Sequence, residues 1–191
     1  ILDSVPIIRD SGIPVLGINT GNLGFLSSVS PKETSEAVKN IITGNYEIEQ
    51  RSLIQINDEK NIFGGINYAL NEVSVCRKDN GSLIVVNVFI DGMLLNTYWA
   101  DGIILATPTG STAYSMSVGG PIMTPNADSF LITPIAAHNL SVRPVVIPDK
   151  SVVRIKVDGR CDSFALGLDS RIMSVDKSFE IELRKTEFTF N

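Results

Sequence analysis

The sequence has few residues that could form disulfides or bind a structural metal, and it has no apolar stretch long enough to span a membrane. Its two cysteines, Cys76 and Cys161, and its single histidine, His138, stand in no metal-like spacing, which argues against a disulfide framework or a zinc site. The longest apolar stretches, such as Leu83–Ile90, have the length of a strand and fall far short of a membrane span. Lysine and arginine number 16 against 21 aspartates and glutamates, so a basic surface for nucleic acid or an anionic membrane is lacking. We therefore expect a cytoplasmic protein with neither of these partners.

The composition is that of a folded protein, and its first part predicts an α/β layer. The 191 residues are 43% hydrophobic and 19% charged, which predicts one or two small globular domains. Residues 13–18 are almost all apolar and predict a strand that is buried on both faces, as in a parallel sheet. Ser30, Pro31 and Glu33 then form the start signal of a helix, with a capping box and a proline at the first helical position.

A different pattern begins near residue 47, where short strands replace the helix. The predicted strands cover residues 68–75, 83–90, 93–99, 151–157, 164–168 and 179–183. Asp91-Gly92 is a two-residue hairpin signal, and one short helix is predicted over 112–119. Apolar and charged residues alternate over 153–158, which indicates a strand with one solvated face.

The fold class that we expect from these patterns is α/β plus β. A partial, Rossmann-like α/β domain over residues 1–46 is followed by a mostly β, sandwich-like domain over 47–179. Residues 180–191 are expected to pack back onto the first domain.

Residues 107–114, Thr-Pro-Thr-Gly-Ser-Thr-Ala-Tyr, join an apolar strand to the predicted short helix. A ligand can approach the backbone closely at Gly110, and the first N–H groups of a helix have no partner within it. Tyr114 can stack on a flat ring. The hydroxyl groups available to a ligand belong to Thr109, Ser111 and Thr112. Because no Gly-Lys-Ser/Thr follows, the segment is not a P-loop, and a capped helix with a glycine-rich exit is the alternative.

Asn71 and Glu72 stand side by side in an otherwise apolar strand. A carboxylate can accept hydrogen bonds from both hydroxyls of a ribose, and an amide can match the edge of a base or a carboxamide. The alternative is an edge strand on which both side chains are solvated.

Three glycines within residues 17–24 suggest a loop that approaches a ligand at the end of the predicted buried strand. Phe25, at the end of this loop, either packs in the core, which we favour, or covers the ligand. His138, Asp128 and Asp169 are interpreted as structural residues, the two aspartates in turns or caps. No metal ligand is predicted.

Four segments together resemble the NAD kinase family, and their order and spacing agree with it over nearly the whole chain. These segments are Gly17–Phe25, Asn71–Glu72, Asp101-Gly102 with Thr107–Pro121, and Ile132–Pro144.

The resemblance implies a set of cofactor-binding residues. Asn71 and Glu72 would hydrogen-bond the NAD nucleoside, with Glu72 at the ribose hydroxyls. Asp101 and Ala136 would contact the nicotinamide half. The adenosine pocket would be lined by Thr112, Ala113, Tyr114 and Ser117. Further expected contacts are Phe25, Thr109, Ser115, Met116, Ser170 and Trp99, although the family often has a polar or basic residue at the position of Trp99.

The resemblance also implies a reaction: phosphorylation of the 2′-hydroxyl of the adenosine ribose of NAD with ATP, to form NADP. Mg²⁺ or another divalent metal would accompany ATP, and the protein would form a homodimer or homotetramer. The family's Gly-Gly-Asp-Gly-Thr motif, whose aspartate is thought to activate the hydroxyl, is absent and is expected just upstream of Ile1. Residues 1–191 alone would then hold no catalytic base and be inactive, with Glu72 in a supporting role. The alternatives are a non-catalytic NAD-binding module and a lipid or sugar kinase relative.

Overall fold

The computed structural model describes residues 1–21, 26–27, 29–78, 83–139 and 141–191. The α-helices within these ranges are α1 (Val5–Ile8), α2 (Thr34–Ile42) and α3 (Tyr114–Ser117). The strands are β1 (Ile54–Ile56), β2 (Tyr68–Ala69), β3 (Glu72–Arg77), β4 (Ile84–Ile90), β5 (Met93–Ala100), β6 (Gly102–Ala106), β7 (Ser129–Ile135), β8 (Val145–Pro148), β9 (Val153–Asp158), β10 (Ser163–Leu168), β11 (Arg171–Asp176) and β12 (Ile181–Lys185). Helix is therefore confined to short pieces, and strands dominate from residue 54 onward.

The strands form two six-stranded sheets, and the named strand pairs are all antiparallel. The first sheet has the order β2-β1-β12-β9-β4-β5, and the second has the order β11-β10-β3-β6-β7-β8. One apolar core takes buried side chains from both sheets, among them Val86, Ile155, Val75 and Phe130. The predicted sandwich is thereby confirmed, because two sheets that share one core must face each other.

Local sequence signals account for several of these elements. In β9, Val153, Ile155 and Val157 are buried while the residues between them are exposed, as the alternation predicts. Asp91 and Gly92 join β4 to β5 with φ angles of 50° and 84°, the two positive values that a type I′ turn requires. The hairpin prediction is therefore confirmed.

The helix predicted near residue 31 is present, but its apolar face is not buried. The capping box forms as predicted, and the Glu33 carboxylate accepts the Ser30 N–H at 2.9 Å. Val38, Ile41 and Ile42, however, are 46%, 45% and 79% exposed. Within the described ranges, no sheet covers this side of α2.

The prediction of a buried strand at residues 13–18 is wrong in this structure. Ile13 and Leu16 are 57% and 45% exposed, and the segment forms a single parallel bridge, between Ile18 and Val29. An apolar run predicts burial only if neighbouring strands flank it, and among the described residues no such strands do. Residues 22–25 of the predicted ligand-approach loop, Phe25 among them, lie outside the described residues.

The two ends of the chain lie together beside the sandwich. Phe190 packs in a small cluster with Val5, Tyr68 and Leu70, and the Val15 N–H donates to the carbonyl of Asn191 at 2.9 Å. β12 itself lies in the first sheet between β1 and β9. The division into domains at residues 46 and 179 stays a prediction. None of the helices in the described ranges is long and apolar enough to span a bilayer.

Candidate functional site

The Asn71–Glu72 pair and the segment at residues 107–114 meet where β3 begins and β6 ends. β2 ends at Ala69 in the first sheet and β3 begins at Glu72 in the second, so Leu70 and Asn71 carry the chain from one sheet to the other. β3 pairs with β6 in a register that places Glu72 opposite Ala106. Antiparallel pairing therefore sets the Asn71–Glu72 pair directly beside the turn that starts at residue 107.

Backbone contacts join these two segments tightly. Thr107 donates its N–H to the carbonyl of Asn71 at 2.9 Å and its hydroxyl to the carbonyl of Leu70 at 2.6 Å. A Cβ added at Gly110 would lie 1.9 Å from the carbonyl oxygen of Asn71. The close approach that Gly110 permits is thus to the backbone of Asn71. The sequence interpretation, which placed a ligand there, is corrected on this point.

Asp169 holds the same segment from the opposite side. It lies in the turn between β10 and β11 and accepts the N–H groups of Leu70, Asn71 and Glu72 at 2.9, 2.8 and 3.1 Å. Its sequence interpretation as a turn or cap residue agrees with this position. Arg171, two residues further, donates to the carbonyls of Ile66 and Tyr68.

Asn71 and Glu72 keep side-chain oxygens without a partner. Within the described part of the chain, Asn71 Oδ1 and Glu72 Oε2 are buried and accept no hydrogen bond. A buried acceptor left unpaired costs about 1–3 kcal/mol, so such atoms mark places where a ligand can complete the hydrogen bonds. The alternative of two solvated side chains on an edge strand is wrong, because β3 lies between β10 and β6 and Asn71 is only 7% exposed.

The Glu72 carboxyl has a strongly altered acidity. Burial raises its pKa from 4.5 to about 7, and the charge of Asp169 adds to the rise, whereas a hydrogen bond from the Tyr114 backbone N–H opposes it. The carboxyl group therefore changes its charge near neutral pH, in a place where two of the motifs converge.

The hydroxyl groups of the 107–117 segment are mostly committed to the protein. Ser111 donates to the carbonyl of Pro108 at 2.6 Å, and Thr112 donates to the carbonyl of Thr109 at 3.1 Å. Ser115 is fully buried and shares a hydrogen bond of 2.8 Å with Thr133. These contacts shape a 3₁₀ turn at Gly110–Thr112 and the following α3, which is shorter than the predicted helix.

Some side chains of the 107–117 segment are exposed to solvent. Tyr114 and Met116 are 42% and 40% exposed, and Ser117 is exposed as well. Burial of part of the ring raises the pKa of the Tyr114 phenol, and the charges of Cys76, Asp101 and Glu72 add to the rise. Tyr114 thus lies within electrostatic reach of both Glu72 and Asp101, which stand at opposite ends of the β3–β6 pair.

A second group of predicted contacts surrounds Asp101. Asp101 forms an ion pair with Arg77 at 3.1 Å. Its backbone N–H donates to the carbonyl of Ile135, the residue before Ala136. Trp99 is 57% exposed on the neighbouring strand β5. Ser170 is exposed and lies in the β10–β11 turn with Asp169, near Glu72 instead.

Arg51 is a residue of this region that the sequence did not single out. It donates to the hydroxyl of Thr109 at 3.4 Å and pairs with Glu49 at 2.6 Å. Together with Thr109 and Thr112 it lines a cavity of about 260 Å³ whose lining does not include Asn71. A larger concavity, of about 880 Å³, includes neither Asn71 nor Glu72 and is lined by residues 47–50, Ser52, residues 125–128, Lys185, Thr189 and Asn191. Arg51 carries no motif signal, so only its tertiary contacts reveal it.

Comparisons with known proteins agree on one family. Sequence models described as the ATP-NAD kinase N-terminal and C-terminal domains match residues 1–46 and 70–191. The NAD kinase of Flavobacterium psychrophilum is 45% identical over 192 residues, covering 100% of this chain and 65% of that protein. The NAD kinase of Cytophaga hutchinsonii is 42% identical over 188 residues, covering 98% and 64%. The chain thus spans just under two thirds of the length of these relatives.

Two solved structures are also similar to the chain. The yeast NADH kinase complexed with NADH superposes with a TM-score of 0.83 at 32% identity, covering 93% of this chain and 53% of that one. The NAD kinase of Archaeoglobus fulgidus in complex with ATP superposes with a TM-score of 0.81 at 29% identity, covering 93% and 67%.

Proposed function

Because the chain belongs to the ATP-NAD kinase family, we propose that its intact gene product is an NAD kinase. It transfers a phosphoryl group from ATP to the 2′-hydroxyl of the adenosine ribose of NAD and forms NADP. The observation that carries the proposal is the convergence of Asn71 and Glu72, with their unpaired buried oxygens, on the Thr107–Tyr114 turn.

The described residues suggest how NAD would be held. Glu72 accepts hydrogen bonds from ribose hydroxyls through Oε2, and Asn71 Oδ1 accepts from a neighbouring donor of the nucleoside. The partly exposed ring of Tyr114 stacks on the adenine. Asp101 and Ala136 serve the nicotinamide half at the far end of β6. Binding residues at both ends of one strand pair suit an extended dinucleotide.

The further contacts proposed from the resemblance differ in what they can offer. Thr112, Ala113, Met116 and Ser117 surround Tyr114 and are available to line the adenosine pocket, and Thr109 and Ser170 border the site. Ser115 can contribute only its backbone, because its hydroxyl is bonded to Thr133. Phe25 stays a proposed contact outside the described residues.

A divalent metal is proposed to enter with ATP. Among the described residues, no group of three metal-ligating side chains is assembled. Mg²⁺ in phosphoryl-transfer sites is bound largely by substrate phosphates and water, so this part of the chain need not supply a full ligand set. The chain's own share is to bind and orient the ribose, which is a large part of catalysis in such transfers.

We propose that the protein self-associates through an exposed apolar edge strand. β5 is the last strand of the first sheet, and Met93, Leu94 and Trp99 on it are 73%, 56% and 57% exposed. Apolar side chains along an open strand edge favour pairing with another chain. Sedimentation equilibrium of the intact protein should show a dimer or tetramer, and a monomer at micromolar concentration would contradict the proposal.

The activity can be tested directly with the intact gene product. Incubation with NAD, ATP and Mg²⁺ should produce NADP, measured with an NADP-specific dehydrogenase. Binding of NAD without turnover would favour a non-catalytic module, and transfer to a lipid or sugar but not to NAD would favour the wider kinase relatives. Reading the codons that precede Ile1 separates the first two cases, because a Gly-Gly-Asp-Gly-Thr there supports the enzyme and its absence supports the binding module.

A further inference from the structure

Asp169 makes four hydrogen bonds to three consecutive residues of the candidate site. Its carboxylate accepts the N–H groups of Leu70, Asn71 and Glu72, and its own N–H donates to the carbonyl of Glu72 at 3.0 Å. Oδ1 takes two of the N–H groups and Oδ2 takes the third. Such charge-assisted bonds to backbone donors are stronger than neutral ones.

The segment needs these bonds because neither sheet can supply them. The ladder between β3 and β10 ends with the pair Val73 and Leu168, and β2 ends at Ala69. Leu70 and Asn71 lie in the gap, where their N–H groups would be buried without partners. Asp169 satisfies the N–H groups, and Thr107 satisfies the carbonyls of the same two residues. The backbone is thus held on both sides, while in the described part of the chain Asn71 Oδ1 and Glu72 Oε2 stay unpaired.

Asp169 occupies a backbone conformation that disfavours most residues. Its φ angle is 52°, in the left-handed region that favours glycine. Asp is one of the few side chains that tolerate this region in a turn, so the conformation suits the β10–β11 turn, where the carboxylate reaches residues 70–72. Arg171 holds the backbone just before Leu70–Glu72, because its guanidinium donates to the carbonyls of Ile66 and Tyr68.

We infer that Asp169 is a positioning residue, whose carboxylate sets the Leu70–Glu72 backbone so that the Asn71 and Glu72 side chains meet the nucleoside. Arg171 supports it by anchoring residues 66–68. The inference rests on the proposed function, because it takes Asn71 and Glu72 as the groups that bind NAD. Asp169 itself touches no substrate in this account.

The variant Asp169→Asn tests the inference in the intact protein. The amide keeps one acceptor oxygen but turns an NH₂ group toward the N–H of Leu70, so the segment loses a charged acceptor and one of its bonds. KM for NAD should rise by roughly tenfold or more, the order of one lost hydrogen bond to a charged group, and KM for ATP should change little. An unchanged KM for NAD would overturn the inference.

The matched control is Asp58→Asn. Asp58 also caps two backbone N–H groups, those of Ile62 and Phe63, at 3.0 Å each, and takes no part in the hydrogen bonds that hold residues 70–72. Both variants should lower the melting temperature, but only Asp169→Asn should raise KM for NAD at a temperature well below melting. Equal effects of the two variants on KM would show a merely structural role and overturn the inference.

Amide hydrogen exchange gives a readout that does not depend on activity. In Asp169→Asn, exchange should accelerate at Leu70, Asn71 and Glu72 while Val75, inside the β3 ladder, keeps its protection. Unchanged exchange at 70–72 would contradict the inference. If Asp169→Asn does not fold, Arg171→Lys should show a smaller rise in KM for NAD, and no rise would overturn the inference. A wild-type protein that neither binds nor phosphorylates NAD would instead overturn the proposed function.

Discussion

Glu72 combines burial, a carboxylate neighbour and an unpaired oxygen, and each of these raises the cost of its negative charge. Its pKa of about 7 lies above the ordinary 4.5, so the folded protein retains a proton that the unfolded chain releases between these values. The stability that this group contributes is therefore complete below about pH 4.5 and is lost as pH rises through about 7. A bound ribose that donates to the carboxylate would offset this loss.

The pH dependence of stability provides a test at this residue. In Glu72→Gln the group cannot ionise, so its unfolding free energy should stay higher than that of the wild type above pH 7. The difference should approach about 3 kcal/mol at pH 8, fall to about 1 kcal/mol at pH 5 and vanish below about pH 4. Urea denaturation of both proteins across this range measures it. Parallel curves would show that Glu72 ionises normally.

Gly110 is the second residue whose identity the structure explains. Gly110→Ala places a Cβ 1.9 Å from the carbonyl oxygen of Asn71, so the backbone must shift. We expect a loss of about 1–3 kcal/mol in stability, together with weaker NAD binding in calorimetry, because the shift moves Asn71. Gly21→Ala, where an added Cβ meets nothing within 4 Å, is the control for stability. Equal stabilities of the two variants would contradict the packing described here.

A buried polar contact holds α3 to the second sheet. Ser115 on α3 and Thr133 on β7 are both fully buried and share a hydrogen bond of 2.8 Å. A Cβ added at Gly120 would come within 2.3 Å of the Ser115 hydroxyl, so the chain must turn away closely there. The contact holds α3, and with it Tyr114, against the sheet.

Thr133→Val removes this contact at nearly constant shape. The Ser115 hydroxyl is then buried without its partner, and stability should fall by about 1–3 kcal/mol. Thr97→Val, which removes a partly buried bond from Thr97 to Asn87 on the first sheet, should cost less. Thermal unfolding of the two variants compares them, and a larger loss for Thr97→Val would contradict the role given to Thr133.

Elements that depend only on adjacent residues were predictable from the sequence. The exposure of the apolar residues at 13–18 was not. The Asp91-Gly92 turn and the Ser30–Glu33 capping box follow from the conformations of a few adjacent residues, and both are present. Residues 13–18 have the composition of a buried strand, but burial depends on neighbouring strands, and in the described structure Ile13 stays 57% exposed. Composition could not supply that information.

The candidate site is formed where the chain passes from one sheet to the other. The sequence pointed to Asn71, Glu72 and the 107–114 turn because their residue types and order resemble a family. It could not point to the role of Asp169, whose partners lie 97 to 99 residues away along the chain. Nor could it show that the space at Gly110 is filled by Asn71. Both depend on how distant strands pair.

Steady-state kinetics of the intact protein show whether Glu72 binds the ribose that is phosphorylated. Glu72→Ala should lower kcat/KM for NAD by about 100-fold or more, the order of an interaction that orients a reacting group, with the circular dichroism spectrum unchanged. Glu182→Ala, which removes a surface ion pair with Arg154, is the matched control and should leave kcat/KM close to the wild-type value. Wild-type kcat/KM in a folded Glu72→Ala protein would show that Glu72 does not bind the reacting ribose.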